Sequence, residues 1–267
     1  MSKPILVFDM DGVLVDVTAS YRETIARTVE HFTGASIAPE RIQEYKNEGG
    51  WNDDWKLSHH IVNSAQENVP AGIRPVPSGR DNAALGFVSA PPGRNNASLQ
   101  TTPPAGRNNV PFEEVKAYFQ KLFLGDGSDG LMRREQWVAR PGVLERLNQG
   151  FQFALFTGRP KAEARMTLDR FAPGIEFAPI VGMYEVRNQK PAPDGLLQIR
   201  EASPGCDLYY VGDSVDDAQC AQSAGVPFIG VAAPSNPLYL DLVFLFQAAG
   251  AYAIVDDINY LEEVFAP

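Results

Sequence analysis

The chain has 267 residues, of which 44% are hydrophobic and 21% are charged, and its formal net charge is −10. This composition is ordinary for a globular protein, and the length allows one large domain or one domain with a smaller companion. The acidic balance argues against a nucleic-acid partner or an anionic membrane surface, since both are bound through a surplus of Lys and Arg. A protein this acidic needs local cations to bind a phosphate group.

The cysteines and the apolar stretches limit the cellular setting. Cys206 and Cys220 are too few for a disulfide framework and favour a reduced, cytosolic environment. The N-terminal stretch lacks the pattern of a signal peptide, and the apolar stretch 242–255 is interrupted by polar residues and too short to span a bilayer. We expect a soluble, cytoplasmic protein without a membrane partner, either a monomer or a small homo-oligomer.

Five short apolar runs end in turn or acidic residues, which is typical of strands covered on both faces of a parallel sheet. They lie at 4–11, 151–158, 208–213, 227–232 and 251–257. Helical patterns separate them, near 160–171 and 215–224, and the second ends at Gly225, a residue common after helices. This alternation predicts a doubly wound, Rossmann-like α/β domain with a parallel sheet.

A long insertion interrupts the alternation after the first predicted strand. It shows no convincing strand, and its helical patterns lie at 18–32, 53–67 and 112–123. We therefore predict a core domain of residues 1–15 and 137–267, and a helical cap domain of residues 16–136. Within the cap, about 72–110 is rich in Pro, Gly, Asn, Ser and Ala, which predicts a long surface excursion.

Two carboxylates directly follow the first predicted strand. Asp9 and Asp11 stand where ligands of open α/β sheets collect, at the carboxyl end of a strand. Neither has a cationic neighbour in the sequence, and two desolvated carboxylates raise each other's pKa unless a cation holds them. A turn or a helix cap would also explain such residues, so the pair alone leaves both interpretations open.

Two further polar stretches follow apolar segments. Thr157 and Gly158 offer a hydroxyl and a backbone amide, and a helix starting at Pro160 would point its amides at the same edge. We expect Arg159 to pack rather than to contact phosphate. Lys190 precedes a proline, which places its ammonium on a loop, where a solvated surface lysine is the common alternative.

The last polar stretch is acidic. Asp213, Asp216 and Asp217 follow an apolar strand, and helix capping explains one acid there but not three. Together, DMDGV, FTG, KP and GDSVDD resemble, in order and spacing, the four motifs of the haloacid dehalogenase-like (HAD) hydrolase superfamily. The resemblance covers about 1–15 and 137–235. The insertion is similar to the helical cap of subfamily I, and SYRETIARTVEHFTG and KNEGGWNDDWKL resemble a phosphoglycolate phosphatase-like branch.

The resemblance implies a Mg²⁺-dependent phosphatase that acts on a small phosphorylated metabolite. It assigns Asp9 as the nucleophile that forms an aspartyl-phosphate and Asp11 as the general acid and base. Lys190 would offset the negative charge and steady Asp9. The implied metal ligands are Asp9, the Asp11 carbonyl, Asp213 and Asp217, the last directly or through water, with Asp216 ranked below. The implied phosphate-binding groups are Thr157, Gly158 and Lys190.

A glycine pair within the cap is followed by candidates for substrate selectivity. Trp51, Asn52 and Asp53 could contact the leaving group from a loop that glycines allow to bend. Alternatively, Trp51 and Trp55 pack one helix face into the cap, while Asp53 and Asp54 favour a helix N-terminus. The sequence supports both interpretations equally.

Two alternatives to a phosphatase share the same motifs. A phosphomutase would differ in whether inorganic phosphate is released. A non-enzymatic binding protein would retain the fold, but a site without catalytic activity has no physical reason to keep mutually repelling carboxylates. The resemblance also disfavours cleavage of C–halogen bonds, because the dehalogenase branch lacks an acid at the position of Asp11.

Overall fold

The computed structural model describes residues 3–67, 87–88, 109–126 and 129–266. Of the predicted excursion at 72–110, therefore, only residues 87–88 and 109–110 are described, and the rest of that prediction lies outside the described residues.

The chain separates into two units. The core unit comprises Met1–Val17, Lys46–Asn52 and Gln136–Pro267, and the cap unit comprises Thr18–Tyr45 and Asp53–Glu135. These boundaries differ from the predicted ones by one or two residues at the outer ends of the insertion. The larger difference is the segment Lys46–Asn52, which we placed in the cap domain and which groups with the core unit.

The core unit is built on a six-stranded parallel sheet. The strands of the described chain are β1 Ile5–Phe8, β2 Val15–Asp16, β3 Ser36–Ile37, β4 Phe87–Val88, β5 Gln136–Trp137, β6 Gln152–Phe156, β7 Ile180–Val181, β8 Leu208–Gly212, β9 Phe228–Val231 and β10 Ala253–Val255. The sheet order is β10-β9-β8-β1-β6-β7, and all of its neighbours run parallel. This confirms the predicted α/β fold class.

Strand β1 lies at the centre of this sheet, between β6 and β8. Its four residues are all buried, which explains why the run is continuously apolar rather than alternating. Phe8 pairs with Leu155 on one side and with Val211 on the other. The carboxyl ends of three strands that are distant in sequence therefore lie side by side.

Helices connect the strands of the core unit. They are α5 Val143–Gly150, α6 Lys161–Phe171, α7 Asp194–Ala202, α8 Val215–Ala224, α9 Tyr239–Ala248 and α10 Leu261–Val264. Helix α8 has the predicted bounds and ends at Gly225, whose φ of 62° is the left-handed conformation that glycine adopts without strain. We predicted that Pro160 is the first residue of the next helix. Helix α6 begins instead at Lys161, and Pro160 precedes it.

The cap unit is mainly helical. Its helices are α1 Glu23–Thr33, α2 Pro39–Glu48, α3 Asp54–Glu67 and α4 Phe112–Leu124, and α2 extends beyond the unit by three residues. The predicted helix at 18–32 begins instead with a wider turn over Thr18–Arg22. Tyr21 stacks obliquely on Phe123 with ring centroids 4.0 Å apart, so the apolar faces of this turn and of α4 form part of the cap core.

Two short antiparallel pairs were not predicted. Ser36–Ile37 pairs with Phe87–Val88, so the expectation of an insertion without strands is wrong. A strand of two residues has no alternation for a sequence pattern to show. Within the core unit, Val15 pairs with Trp137 and Asp16 with Gln136, beside the points where the insertion begins and ends.

None of the helices in the described part of the chain combines the length and the apolar character required to cross a membrane.

Candidate active site

Three carboxylates from two strand ends lie close together in the core unit. Asp9 follows β1 and is 5% exposed, while Asp213 and Asp217 follow β8. One carboxylate oxygen of each residue lies within 4.8 Å of those of the other two. The structure therefore brings together the side chains that we predicted at this edge from the first and fourth motifs.

Lys190 occupies the space between two of these acids. Its Nζ lies 2.9 Å from Asp9 Oδ1 and 2.8 Å from Asp217 Oδ1, and its side chain is 1% exposed. Burial alone would lower the pKa of Lys190, but the charges of Asp217 and Asp9 raise it above its ordinary value. The alternative of a solvated surface lysine is wrong, and Lys190 is a buried cation.

The ionised form of Asp9 remains disfavoured even with Lys190 beside it. Burial raises the pKa of Asp9 to about 7, against the opposing charge of Lys190, and Asp217 and Asp11 add to the rise. One lysine therefore does not offset the burial of this carboxylate. A second cation beside Asp9 would favour its ionised form.

Asp217 has four contacts with polar groups of the protein itself. Its Oδ1 forms an ion pair with the Lys190 Nζ and accepts a hydrogen bond from the Tyr210 hydroxyl at 2.6 Å. Its Oδ2 accepts hydrogen bonds from the Ser214 hydroxyl and backbone amide. Ser214 and Asp217 form a capping box at the start of α8. Burial opposes the ionised form, but Lys190 and these hydrogen bonds keep the pKa of Asp217 below its usual range.

These four contacts bear on the predicted role of Asp217. An ionised carboxylate offers about four acceptor positions, and here three hydrogen bonds and one ion pair from the protein already surround the two oxygens of Asp217. Of the two possibilities we predicted, contact with a metal directly or through water, the arrangement favours the second. Sequence reasoning missed Tyr210, because a tyrosine inside a buried strand looks like any core aromatic residue.

Asp11 has a cationic partner that is far away in the sequence. The Arg159 Nε donates to Asp11 Oδ1 at 2.8 Å, and its Nη2 contacts the same oxygen. The Arg159 Nη1 donates to the Thr167 hydroxyl at 3.0 Å, and the side chain is 1% exposed. Arg159 is buried, as packing requires, but our expectation missed the ion pair through which it holds Asp11.

The second motif lies at the end of β6. The Thr157 hydroxyl accepts a hydrogen bond from the Arg159 amide at 3.2 Å, and the side chain is buried. A Cβ added to Gly158 would lie 2.6 Å from the Asn52 Nδ2, so a larger residue here would have to displace the Asn52 side chain. Thr157 and Gly158 thus stand at the same sheet edge as Asp9, with the Asn52 side chain beside them.

The residues of the predicted selectivity loop divide between the two units. In the cap unit, Asp53 Oδ1 accepts hydrogen bonds from the backbone amides of Trp55 and Lys56 at 3.0 and 3.2 Å. These bonds place Asp53 at the N-terminus of a helix, which agrees with the second of the two predicted roles. Trp55 is buried, with the Lys116 ammonium 4.1 Å from the centroid of its ring. Trp51 and Asn52 belong to the core unit.

A family model for haloacid dehalogenase-like hydrolases matches residues 4–225. The chain belongs to this family. It is 31% identical over 245 residues to an imidazoleglycerol-phosphate dehydratase of Phytophthora nicotianae, a match covering 88% of this chain and 45% of that protein. It is 29% identical over 163 residues to the phosphoglycolate phosphatase of Escherichia coli K12, covering 58% of this chain and 62% of that enzyme.

A solved structure shares the fold of this HAD-like hydrolase. The haloacid dehalogenase-like hydrolase of Bacteroides fragilis superposes with a TM-score of 0.65 at 19% identity, covering 97% of this chain and 100% of that chain. The predicted family, and the likeness to its phosphoglycolate phosphatases, are confirmed. The chain spans about half the length of the dehydratase and under two thirds of the phosphatase that it matches.

Proposed function

We propose that this HAD-like hydrolase is a Mg²⁺-dependent phosphomonoesterase that acts on a small phosphorylated metabolite through an aspartyl-phosphate. The observation that carries the proposal is a buried Asp9 carboxylate held 2.9 Å from the buried Lys190 ammonium. A positioned carboxylate beside a fixed positive charge suits nucleophilic attack on an electron-rich phosphoryl group.

The donor set of the site fits magnesium. Asp9 and Asp213 offer carboxylate oxygens, which are hard ligands, and Asp217 lies close enough to act through a water. The family resemblance adds the backbone carbonyl of Asp11. The raised pKa of Asp9 is an independent reason for a further cation at this place. Bound Mg²⁺ would offset the negative charge of the carboxylates and the phosphoryl oxygens.

The residues of the chain define two displacements. An Asp9 oxygen attacks phosphorus and the bond to the leaving oxygen breaks, while Asp11 donates its proton to that oxygen. Asp11 then takes a proton from a water that attacks phosphorus, which releases phosphate and restores Asp9. Through both steps Lys190 steadies Asp9, and Thr157 and Gly158 bind phosphoryl oxygens.

The test is release of inorganic phosphate from a panel of phosphate esters in the presence of Mg²⁺. The panel includes p-nitrophenyl phosphate, 2-phosphoglycolate and imidazoleglycerol phosphate, the last two after the names of the relatives. Asp9→Asn should lower turnover by on the order of a thousandfold or more, because the amide cannot replace the nucleophile. Asp241→Asn, an exposed acid in the same unit, is the matched control.

Chelation gives a second arm of this test. EDTA should abolish phosphate release and added Mg²⁺ should restore it. Normal hydrolysis by Asp9→Asn, or full activity after exhaustive chelation, would contradict the proposal. A phosphorylated product that forms without free phosphate would indicate a mutase instead.

A further inference from the structure

The segment Lys46–Asn52 is tied to the first turn of α8. Asp216 is 2% exposed, and its Oδ1 accepts from the Gly50 amide at 2.6 Å. Burial raises the pKa of Asp216, while hydrogen bonds from the backbone of Gly50 and Asn52 oppose the rise. The Lys46 Nζ donates to the Trp51 carbonyl at 2.7 Å, which closes the segment on itself.

The backbone of this segment depends on its two glycines. Gly49 and Gly50 have φ values of 80° and 81°, which other residues rarely adopt. A Cβ on Gly49 would also lie 3.3 Å from Asp216 Oδ1. The segment therefore approaches the acid closely because glycines stand there.

Asp216 differs from its two acidic neighbours in what it faces. Asp213 and Asp217 lie together with Asp9, whereas the Asp216 carboxylate accepts from the amides of the 46–52 segment. The catalytic steps proposed above do not involve Asp216. Its contacts instead assign it to the placement of the residues that follow the glycines.

Asn52 is the last residue of this segment and follows the two glycines. Its Nδ2 is buried and has no hydrogen-bond partner among the residues that the structure describes. It lies beside Gly158, where a Cβ would meet it at 2.6 Å. A buried amide donor without an acceptor is costly, and an anionic oxygen next to Gly158 would satisfy it.

We propose that Asn52 donates a hydrogen bond to a phosphoryl oxygen of the substrate, and that Asp216 is the positioning residue that holds Asn52 beside Gly158. The inference rests on the proposed function, since it deepens the phosphate-binding part of that site. It makes the 46–52 segment, which is remote in sequence from the four motifs, a part of the phosphate subsite.

The first experiment measures the binding of inorganic phosphate to the full chain by calorimetry in Mg²⁺ buffer. Asn52→Ala should weaken binding by about tenfold to a hundredfold, as expected for a hydrogen bond to a charged group. Asn52→Asp should weaken it further, because it adds a negative charge. Gln222→Ala, an exposed residue of α8, is the matched control.

The second experiment measures amide hydrogen exchange at Gly50 by NMR, which needs no activity. Asp216→Ala should speed this exchange by about tenfold or more, since the amide loses a charged acceptor. Asp216→Asn keeps one carbonyl acceptor and should give an intermediate rate. Asn52→Ala should leave the exchange at the wild-type rate, because the Asn52 Nδ2 donates no hydrogen bond to Asp216 among the described residues.

A double variant links the two measurements. Asp216→Ala should weaken phosphate binding in the wild type but add little in the Asn52→Ala background, because both changes remove one hydrogen bond. Phosphate binding by Asn52→Ala within twofold of the wild type, or additive losses in the double variant, would overturn the inference. Unchanged exchange at Gly50 in Asp216→Ala would overturn the anchoring role.

These outcomes separate the inference from the proposed function. Phosphate binding that depends on Asn52, in a chain that releases no phosphate from any ester, would sink the phosphatase proposal and leave this inference standing. Efficient hydrolysis that is indifferent to Asn52 would do the reverse. A wild-type chain that binds no phosphate would overturn the inference as well.

Discussion

Replacing Lys190 by Met tests whether a buried cation holds the site together. The side chains of Lys190, Asp9 and Asp217 are 1%, 7% and 0% exposed, so water screens neither of the two ion pairs. Methionine has a similar length and no charge. It would leave two buried carboxylates that face each other without the ammonium between them.

The expected cost follows from this burial. Removing one partner of a buried ion pair costs about 3–5 kcal/mol, whereas an exposed pair contributes up to about 1 kcal/mol. We expect Lys190→Met to lower the free energy of unfolding by about 4 kcal/mol, within the range for buried pairs. A further Asp217→Asn substitution should recover part of the loss, because it removes the repulsion between the carboxylates.

The assay is urea unfolding at neutral pH in EDTA, followed by circular dichroism and fluorescence. Equal slopes for wild type and variant would show that the midpoint shift reports stability. Lys3→Met, an exposed lysine of the same unit, should change stability by at most about 0.5 kcal/mol. A loss below about 1 kcal/mol for Lys190→Met would refute the reasoning, because the pair would then behave like an exposed one.

Three further predictions address other contacts. Arg159→Gln should lower kcat for p-nitrophenyl phosphate by about tenfold to a hundredfold with a smaller change in KM, since Asp11 loses its charged partner; an unchanged kcat would refute this role. Burial lowers the pKa of His31, so the unfolded chain takes up the proton first and stability falls as pH drops through about 6.5. His31→Phe should flatten this part of the dependence of the urea midpoint on pH, and a profile parallel to that of the wild type would contradict the assignment. Burial raises the pKa of Cys220 to about 12, so iodoacetamide should modify the half-buried Cys206 and spare Cys220 in the native protein, as read by mass spectrometry. Equal labelling of both thiols would count against it.

The elements that sequence analysis predicted well are those that leave a clear local signal in the sequence. Strand β1 is buried throughout and therefore appears in the sequence as a continuous apolar run. Helix α8 ends before a glycine in the left-handed conformation, and that glycine marks its end in the sequence. Helix α2 was missed because its buried residues are Ile42 and Gln43, which form no apolar stripe. Strands β3 and β4 were missed because two residues cannot show a period.

For the site, the motifs indicated which residues meet but not how they are paired. Arg159 lies 148 residues from Asp11, and no local pattern distinguishes an arginine that packs from one that holds a carboxylate. Lys190 looked like a loop lysine because its burial depends on strands that are distant in sequence. The contact between Asp216 and Gly50 spans 166 residues and depends on tertiary structure in the same way.

The short β2–β5 ribbon has a consequence for how this protein can change over time. Val15 pairs with Trp137 and Asp16 with Gln136, so hydrogen bonds hold the two ends of the long insertion between β2 and β5 next to each other. The entropy lost on closing a flexible loop grows only logarithmically with its length, so added residues between these ends cost little. The insertion can therefore become longer or be replaced during evolution while the six-stranded sheet keeps its register. The condition is that the residues around Gly50, which group with the core unit, are retained.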